Sequence, residues 1–545
     1  MNMGSVADFV KRIPVAILIV YALLSAASFW TAHERELINI LDDDAYYYFT
    51  IARNVAEKGQ LTFDGTTISN GYHPLWLIIL VPFFRIWDDP MLALRVIGTF
   101  SVMLAGLTGT ISLRYLSRHS LLSYSLAATL VLTCIISFGS TGMETTVLLP
   151  LLVVALLLLE HIQPWRADSR NIKSMLVLGA VLALAQLARL DAVLLNGMVF
   201  LFVAAAYRRS GGYGRLAALG AAPFITGVGY LVFNYSVFGH LVPTSGMAKS
   251  LGSDSQFINT RFVEQLITGQ SSDGTLWQVF LGMVVLAAGY LAILLLAGLK
   301  NRRLRLADEQ RTPAIAAAFI LVFATYQLFG TSWVLWRWYA YPILPMSLFV
   351  VPRVVEQMEQ RLMQRESLRA SLRALSAVVV ALTLIRIATV GIRCGYWREP
   401  LGVSFQYANY QTAQLLNERL PRPATVAMGD RAGSFAYFFD GNILQLEGLT
   451  GDYQILEAIK SNTLMDYMSA FGVDYVVSHA GPPVVYSQWT LLNPLPKLST
   501  GPYAEIRLCA ETEYLRFEAE SSTIYVWGWP SCAASNRLTR APPAV

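Results

Sequence analysis

Long apolar runs separated by short polar segments fill the chain up to about residue 393. The runs are 17 to 25 residues long, and about 20 apolar residues suffice for a helix to cross the hydrocarbon core of a bilayer. The pattern therefore predicts a polytopic α-helical membrane protein. We expect eleven spans, at residues 13–33, 93–115, 121–138, 145–161, 174–189, 191–207, 215–237, 277–299, 312–331, 339–356 and 371–392.

Basic residues between these runs orient the helices, because Lys and Arg are enriched in cytoplasmic loops. Lys11 and Arg12 place the N-terminus in the cytoplasm, and everything after about residue 393 is then outside. The first apolar run lacks a convincing small-residue cleavage site, so we interpret it as an uncleaved span and not as a signal peptide. Further basic loops lie on the cytoplasmic side at residues 114–118, 166–173, 208–215, 300–311 and 353–373.

Residues 74–87 (PLWLIILVPFFRIW) are apolar but short, and counting them as a span would reverse the later loops. We expect a re-entrant or interfacial segment there. With this orientation the unusual polar motifs all face outward, although they were not used to choose it. Their agreement indicates a single site outside the cytoplasm.

The chain changes character after the last apolar run. We divide it into a membrane domain (1–393) and a small α/β domain outside the membrane (394–545). Cys509 and Cys532 could pair across a hairpin in an oxidising compartment, which would leave one outer cysteine over. The segments ATVAMGD, DYVVSH, AEIRLCA and STIYVWGW predict strands, and residues 405–420 and 452–470 predict amphipathic helices.

Composition narrows the class of function. Hydrophobic residues make up 55% and charged residues 14% of the 545 positions, and the net charge is +5. Because the basic residues are dispersed among short loops, a nucleic-acid partner is not expected. The sequence contains no Walker A loop, no GxGxxG at a strand–helix junction and no HExxH, so nothing indicates a nucleotide cofactor. An activated substrate outside the cytoplasm would have to arrive on a lipid.

Three consecutive carboxylates, Asp42, Asp43 and Asp44, follow the first span. One of them could simply cap the next helix, since Asp is favoured at helix N-termini. Three in a row are costly at a membrane face, and adjacent carboxylates raise one another's pKa, whereas a helix N-terminus lowers it. We predict that Asp43 or Asp44 acts as a general base. Apolar positions at helical spacing predict that the helix over 44–58 lies along the membrane.

Seven further residues are candidates for substrate binding, and each also has a structural alternative. His73, before Pro74, could be an interfacial histidine or a donor to a phosphate or sugar hydroxyl. Glu144 could be a solvated turn residue, Arg189 and Asp191 could form a local ion pair, and the aromatic residues near 336–341 could belong to the interfacial belt. An anionic ligand would need two or three cations. The candidates are His73, Glu144, Arg189, Asp191, Lys249, Arg337 and Tyr339.

The blocks DDAYYYFTIARNVAEKGQLTFDG, NGYHPLW, GMETT, LARLDA, FGHLVPTSGMAK and RWYAYP resemble the GT-C superfamily of membrane glycosyltransferases between about residues 41 and 345. Within it the chain is most similar to the bacterial branch of mycobacterial terminal arabinofuranosyltransferases and pilin-modifying arabinosyltransferases. The resemblance implies a GT-C-like fold in the bacterial inner (plasma) membrane, with its active site and C-terminal domain on the extracytoplasmic side.

The resemblance also implies an inverting transfer of a sugar, such as arabinofuranose, from a polyprenyl phosphate to a glycan or protein acceptor. Asp43 matches the family base and Asp44 its acidic neighbour, while a third aspartate, Asp42, departs from the usual pair. No cofactor is required; a divalent cation could assist. His73, Lys249 and Arg337 would then be available to stabilise the leaving phosphate.

Other functions stay open. An oligosaccharyltransferase or ligase acting on a lipid-linked glycan would share the fold. A lipid or sugar transporter would place its functional polar groups near the bilayer midplane, on broken helices in repeated halves, and a scaffold would use the outer domain for binding. The one-sided polar residues and the absence of a visible sequence repeat favour an enzyme.

Overall fold

The structure is a computed structural model of the chain. It describes residues 3–139, 141–166, 171–208, 212–251, 257–269, 274–300, 306–363, 405–479, 485–486, 489–492, 506–509, 513–519 and 522–529, together with isolated positions between 371 and 385.

Most of the described residues before residue 364 lie in helices. Their bounds are α1 (Met3–Thr31), α2 (Glu34–Ile40), α3 (Asp43–Lys58), α4 (Pro74–Ile86), α5 (Pro90–Leu116), α6 (Leu121–Phe138), α7 (Thr145–Ile162), α8 (Ile172–Ala188), α9 (Val193–Tyr207), α10 (Tyr213–Phe238), α11 (Thr244–Lys249), α12 (Thr260–Thr268), α13 (Gly274–Lys300), α14 (Asp308–Phe329), α15 (Ile343–Pro345) and α16 (Val351–Met363). A 3-10 turn (Arg337–Ala340) precedes α15 and a π-helical turn (Met346–Val350) follows it.

Nine helical segments of the described residues are long and apolar enough to cross a membrane. They correspond to nine of the predicted spans, and α8, with 17 residues, corresponds to a tenth. The span predicted at 371–392 lies outside the continuously described residues. The architecture is therefore that of a multi-pass membrane protein, as the hydrophobic pattern predicts.

The polar loops lie at the two ends of the helical bundle. We call the end with Lys11 and Arg166 the lower end and the end with Asp42 and Arg337 the upper end. At the lower end, Lys11 Nζ donates to the carbonyl oxygens of Ser117 (2.7 Å) and His119 (2.6 Å), and Arg166 pairs with Asp308 at 2.6 Å. At the upper end, Arg337 pairs with Asp42 at 2.5 Å. The basic loops and the unusual polar motifs thus lie at opposite ends of the bundle, as the sequence predicts. Which end faces the cytoplasm stays a prediction.

Helix α4 begins and ends at the upper end. Near its C-terminus Arg85 donates to the carbonyl of Ala56 in α3 at 2.9 Å, and just beyond it Tyr437 of the C-terminal domain donates to the carbonyl of Pro90 at 3.0 Å. Thirteen residues give a length of about 20 Å, against about 30 Å of hydrocarbon. The structure thus agrees with a re-entrant or interfacial segment.

The described part of the C-terminal domain contains α17 (Phe405–Arg419), α18 (Ala432–Phe438), α19 (Tyr453–Lys460) and α20 (Leu464–Phe471). Its strands are β1 (Thr425–Met428), β2 (Asn442–Gln445), β3 (Tyr475–Ser478), β4 (Val485–Tyr486), β5 (Trp489–Leu492), β6 (Ile506–Cys509), β7 (Glu513–Ala519) and β8 (Ser522–Gly528). One sheet has the order β2-β1-β3-β8-β7 and the other β4-β5-β6.

The larger sheet is mixed. Strand β1 pairs in parallel with β2 and β3, with Val426 opposite Ile443 and Tyr475, and β8 closes the parallel part by running antiparallel to β3. The four predicted strands match β1, β3, β6 and β8. The helix predicted at 452–470 is two helices, because the chain turns at Asn462 with a positive φ of 56°. Cys532, one member of the proposed Cys509–Cys532 pair, lies outside the described residues.

Helix α3 packs against the C-terminal domain, and its expected course along the membrane stays a prediction. Tyr46 and Phe49 contact the ring of Tyr437 in α18, with centroids 5.5 and 6.0 Å apart, and every residue of α18 is buried. Gln406 also donates to the carbonyl of Leu41 at 2.5 Å. Tyr46 and Phe49 of α3 therefore help to dock the C-terminal domain.

Candidate active site

A cavity of about 270 Å³ lies at the upper end of the bundle. The end of α8, the start of α9, helix α11 and the end of α14 form its walls. The charged and polar side chains in its lining come from segments that are far apart in sequence. The lining residues are His73, Arg189, Leu190, Asp191, Val193, Leu194, Pro243, Ser245, Gly246, Lys249, Tyr326, Gln327, Thr331, Trp333, Leu335 and Tyr339.

Arg189 is the centre of a buried ion network. Helix α8 ends at Ala188 and a 3-10 turn follows, so Arg189 and Asp191 stand together at the turn into α9. Arg189 Nη1 lies 2.5 Å from Glu144 and its Nε 3.0 Å from Asp191, and Arg189 is only 2% exposed. The local pair considered above is present, and Glu144 extends it. Two carboxylates therefore compensate this one cation.

His73 lies at the mouth of α4, beside this network. Its Nδ1 accepts from the Leu190 N–H at 3.4 Å, and its Nε2 stands 4.0 Å from Glu144 Oε1. Burial lowers the pKa of His73 to about 3, with the Arg189 charge acting in the same direction. The ring is therefore neutral at ordinary pH, with its proton on Nε2.

Lys249 supplies positive charge to the cavity. Its Nζ donates to the Tyr339 hydroxyl at 2.7 Å. Burial lowers the pKa of Lys249, but Tyr339 and the nearby Asp44 raise it by more, so that it lies above its ordinary value. Lys249 is charged and suited to bind an anion.

Asn70 holds the segment that carries Lys249, and our sequence analysis did not give it this role. Its Oδ1 accepts from the N–H of Thr244 at 2.9 Å, at the start of α11. Its Nδ2 donates to Tyr453 of the C-terminal domain at 2.8 Å. A Cβ at the following Gly71 would lie 2.0 Å from the Leu449 carbonyl oxygen. The glycine after Asn70 is the feature of the sequence that indicates this close approach of the two backbone segments.

Arg337, the other predicted phosphate ligand, does not line the cavity. Its guanidinium lies 2.5 Å from Asp42 Oδ1, and this pair joins the first polar loop to the 3-10 turn at 337–340. Asp42 is also the residue that precedes α3. The two residues thus join distant segments at the upper end.

The remaining two aspartates of the triplet face different surroundings. Asp43 accepts from the N–H groups of Gly433 and Ser434 at 3.1 and 2.8 Å and from the Ser434 hydroxyl at 2.6 Å. Burial raises the pKa of Asp43, and these hydrogen bonds oppose the rise. Asp44 is half-buried, and its charge acts on Lys249. Asp43 is thus directed at the C-terminal domain, while Asp44 lies within electrostatic range of the cavity's lysine.

Among the residues that the structure describes, no three His, Cys, Asp or Glu side chains are grouped so that they could hold a metal ion.

Comparisons with known proteins give distant likenesses. Residues 401–525 match a family model described as a domain of unknown function (DUF8728), and no curated protein matches the chain. The oligosaccharyltransferase of Archaeoglobus fulgidus, tethered with an acceptor peptide, is 13% identical; the match covers 86% of this chain and 69% of that one, with a TM-score of 0.46. ArnT from Cupriavidus metallidurans is 12% identical over 82% of this chain and 91% of its own, also with a TM-score of 0.46.

Proposed function

We propose that the protein is a glycosyltransferase that moves a sugar from a polyprenyl-phosphate donor to an acceptor hydroxyl outside the cytoplasm. The observation that carries the proposal is the position of charged Lys249 in a cavity that opens between membrane helices. Val193 of α9 and Tyr326 of α14 line this cavity and are 48% and 43% exposed. A lipid-linked donor could enter between these helices and bring its phosphate to Lys249.

In this reaction the acceptor oxygen attacks the anomeric carbon and the bond from that carbon to the phosphate oxygen breaks. The electron pair leaves with polyprenyl phosphate, whose charge Lys249 stabilises, with Tyr339 and the Nε2–H of His73 as neighbouring donors. Asp44 takes the acceptor proton as general base. The attack comes from the side opposite to the leaving group and inverts the anomeric centre.

The network of Arg189, Glu144 and Asp191 shapes the cavity wall in this proposal. Arg189 Cζ lies 4.3 Å from the ring centroid of Tyr339, and Tyr341 donates to Asp191 at 3.1 Å. Because the guanidinium is compensated by two carboxylates, we assign it to holding Tyr339 and the α8–α9 turn in place. Lys249 then provides the positive charge that attracts the donor phosphate.

The volume of the cavity favours one sugar over an assembled glycan. Ligand pockets usually measure about 300–1,000 Å³, and this cavity, at about 270 Å³, is small. That supports a monosaccharide donor over the oligosaccharyltransferase alternative. Arabinofuranose is the sugar that the sequence resemblance suggests, with a glycan or a protein as acceptor.

The test incubates the purified full-length protein with a panel of polyprenyl-phosphate sugars and measures release of free polyprenyl phosphate. We expect release with one pentofuranose donor, and a loss of about 100- to 10,000-fold in Asp44→Asn. Asp466→Asn, at an exposed position, is the matched control. Near-normal transfer by Asp44→Asn would exclude it as the base, and no release from any donor would overturn the proposal.

Binding of the donor is measured in the same preparation. Lys249→Ala is expected to weaken donor binding by roughly 10-fold or more, because a charge-assisted contact to phosphate is lost. Lys58→Ala removes an equal charge from an exposed position at the end of α3 and should leave binding unchanged. Equal affinities in the two variants would contradict the assignment of Lys249.

A further inference from the structure

A chain of buried hydrogen bonds runs through the C-terminal domain and ends on Asp43. Ser434 donates to Asp43 Oδ1 at 2.6 Å, and Asn409 Nδ2 donates to Ser434 Oγ at 2.8 Å. His479 Nε2 lies 2.7 Å from Asn409 Oδ1, and its Nδ1 lies 2.6 Å from Ser522 Oγ. The chain thus connects β8, β3, α17 and α18 to the first turn of α3.

The direction of each bond in this chain is fixed by its end on Asp43. An ionised carboxylate only accepts, so the Ser434 hydroxyl proton points to Asp43 and its oxygen accepts from Asn409. The Asn409 oxygen then accepts from His479 Nε2–H. In a neutral imidazole this leaves Nδ1 as an acceptor, which the Ser522 hydroxyl satisfies. The low pKa of His479, about 3 because of burial, agrees with a neutral ring.

The same bonds occupy Asp43. One carboxylate oxygen accepts twice from Ser434 and the other accepts from Gly433. The close approach leaves no room, since a Cβ at Gly433 would lie 2.2 Å from the Asp43 carbonyl oxygen. Neither Asp43 nor Asp44 is in the cavity lining, but the charge of Asp44 acts on Lys249. The bonds from Gly433 and Ser434 use three of the four acceptor sites of the Asp43 carboxylate, so an acceptor hydroxyl could reach only the remaining site on Oδ2.

We infer that Asp43 is a positioning residue through which the relay Ser522–His479–Asn409–Ser434 of the C-terminal domain holds the first turn of α3, and with it Asp44, within electrostatic range of Lys249. The inference rests on the proposed transfer reaction and goes beyond it. It makes the C-terminal domain part of the catalytic apparatus, although none of its described residues lines the cavity. Asp43 and Ser434 then act as one unit.

The test is a double-mutant cycle on transfer with the full-length enzyme. Asp43→Asn and Ser434→Ala should each lower kcat/KM by roughly 10- to 100-fold, as expected for loss of a hydrogen bond to a charged group. The loss of kcat/KM in the double variant should be no larger than the larger of the two single losses. Ser469→Ala, an exposed serine of the same domain that bonds its own helix, is the control and should resemble the wild type.

The pH–rate profile separates positioning from base catalysis. Loss of the Ser434 hydroxyl hydrogen bond would raise the pKa of Asp43, because that bond favours its charged form. If Asp44 is the base, the acid limb of kcat/KM stays where it is in Ser434→Ala and in His479→Gln. These two variants keep Asp43, so the measurement does not depend on whether Asp43→Asn accumulates. An acid limb that moves to higher pH in Ser434→Ala, or additive losses in the cycle, would overturn the inference.

Hydrogen exchange tests the relay without relying on transfer. The amides of Gly433 and Ser434 should exchange faster in Asp43→Asn and in His479→Gln than in the wild type or Ser469→Ala. Unchanged exchange in both variants would contradict the relay even in an active enzyme. Faster exchange in a protein that releases no polyprenyl phosphate would preserve the relay while the proposed function fails.

Discussion

Arg189 lies in the protein interior between Glu144 and Asp191, and the faces of Tyr339 and Tyr341 enclose it. Taking these charges out of water costs free energy, which the ion pairs offset only while all partners are present. The network therefore defines one geometry for the turn between α8 and α9. That geometry sets the wall of the cavity.

Removal of Arg189 should consequently be severe. We expect Arg189→Ala to lower the free energy of unfolding by about 3–5 kcal/mol, because two buried carboxylates lose their cation. Arg118→Ala breaks a pair with Glu160 in which the arginine is 48% exposed, and should cost less than about 1 kcal/mol. Denaturation of both variants in the same detergent checks the difference. Similar losses would show that the pairs at Arg189 contribute little.

The site shows what single residues can and cannot reveal. Polar residues such as His73, Arg189 and Lys249 stood out because they interrupt an apolar chain, and the structure brings them to one cavity. The partners of Asp43 and Arg337 could not be read in the same way, since Ser434 is 391 residues from Asp43 and Asp42 is 295 residues from Arg337. Local patterns carry no information about such distant pairing.

At the scale of elements, the long helices followed from hydrophobic length, and predicted and observed bounds differ by a few residues apart from α1 and α16, which extend further. Helix α3 was also predicted, but nothing in the sequence indicated what packs against Tyr46 and Phe49. The structure places α18 there, which the sequence analysis did not predict as a helix. Side chains of both helices meet in an aromatic contact around Tyr437.

This interface gives a prediction about Gly433, at the start of α18. An added methyl would meet the Asp43 carbonyl oxygen at 2.2 Å, so Gly433→Ala should lower the free energy of unfolding by about 1–3 kcal/mol and loosen the docking. Gly289→Ala in α13 meets no heavy atom within 4 Å and should be neutral or slightly stabilising. Thermal unfolding and hydrogen exchange of α3 measure both effects. Equal stability would mean that α18 shifts without cost.

At the scale of the whole molecule, the bundle has two chemically distinct ends. The upper end carries the cavity, the aspartate triplet and the docked C-terminal domain, whereas the lower end carries Lys11, Arg118 and Arg166 in bonds between loops. Because basic loops favour the cytoplasm, the upper end should face outward. This orientation is the one in which the proposed donor is carried on a lipid.

Single cysteines can test the orientation in a variant whose four native cysteines are replaced by alanine. Cysteines at Lys58 and Lys460, both at the upper end or in the docked domain, should react with an impermeant maleimide in intact cells. Cysteines at Arg118 and Lys173 should react only after lysis, because the loops of the lower end would be cytoplasmic. The opposite pattern would place the cavity in the cytoplasm, where soluble nucleotide sugars are available, and would remove the argument for a lipid-linked donor. Labelling of the cysteines that replace Lys58 and Arg118 from the same side of the membrane would contradict the two-ended arrangement itself.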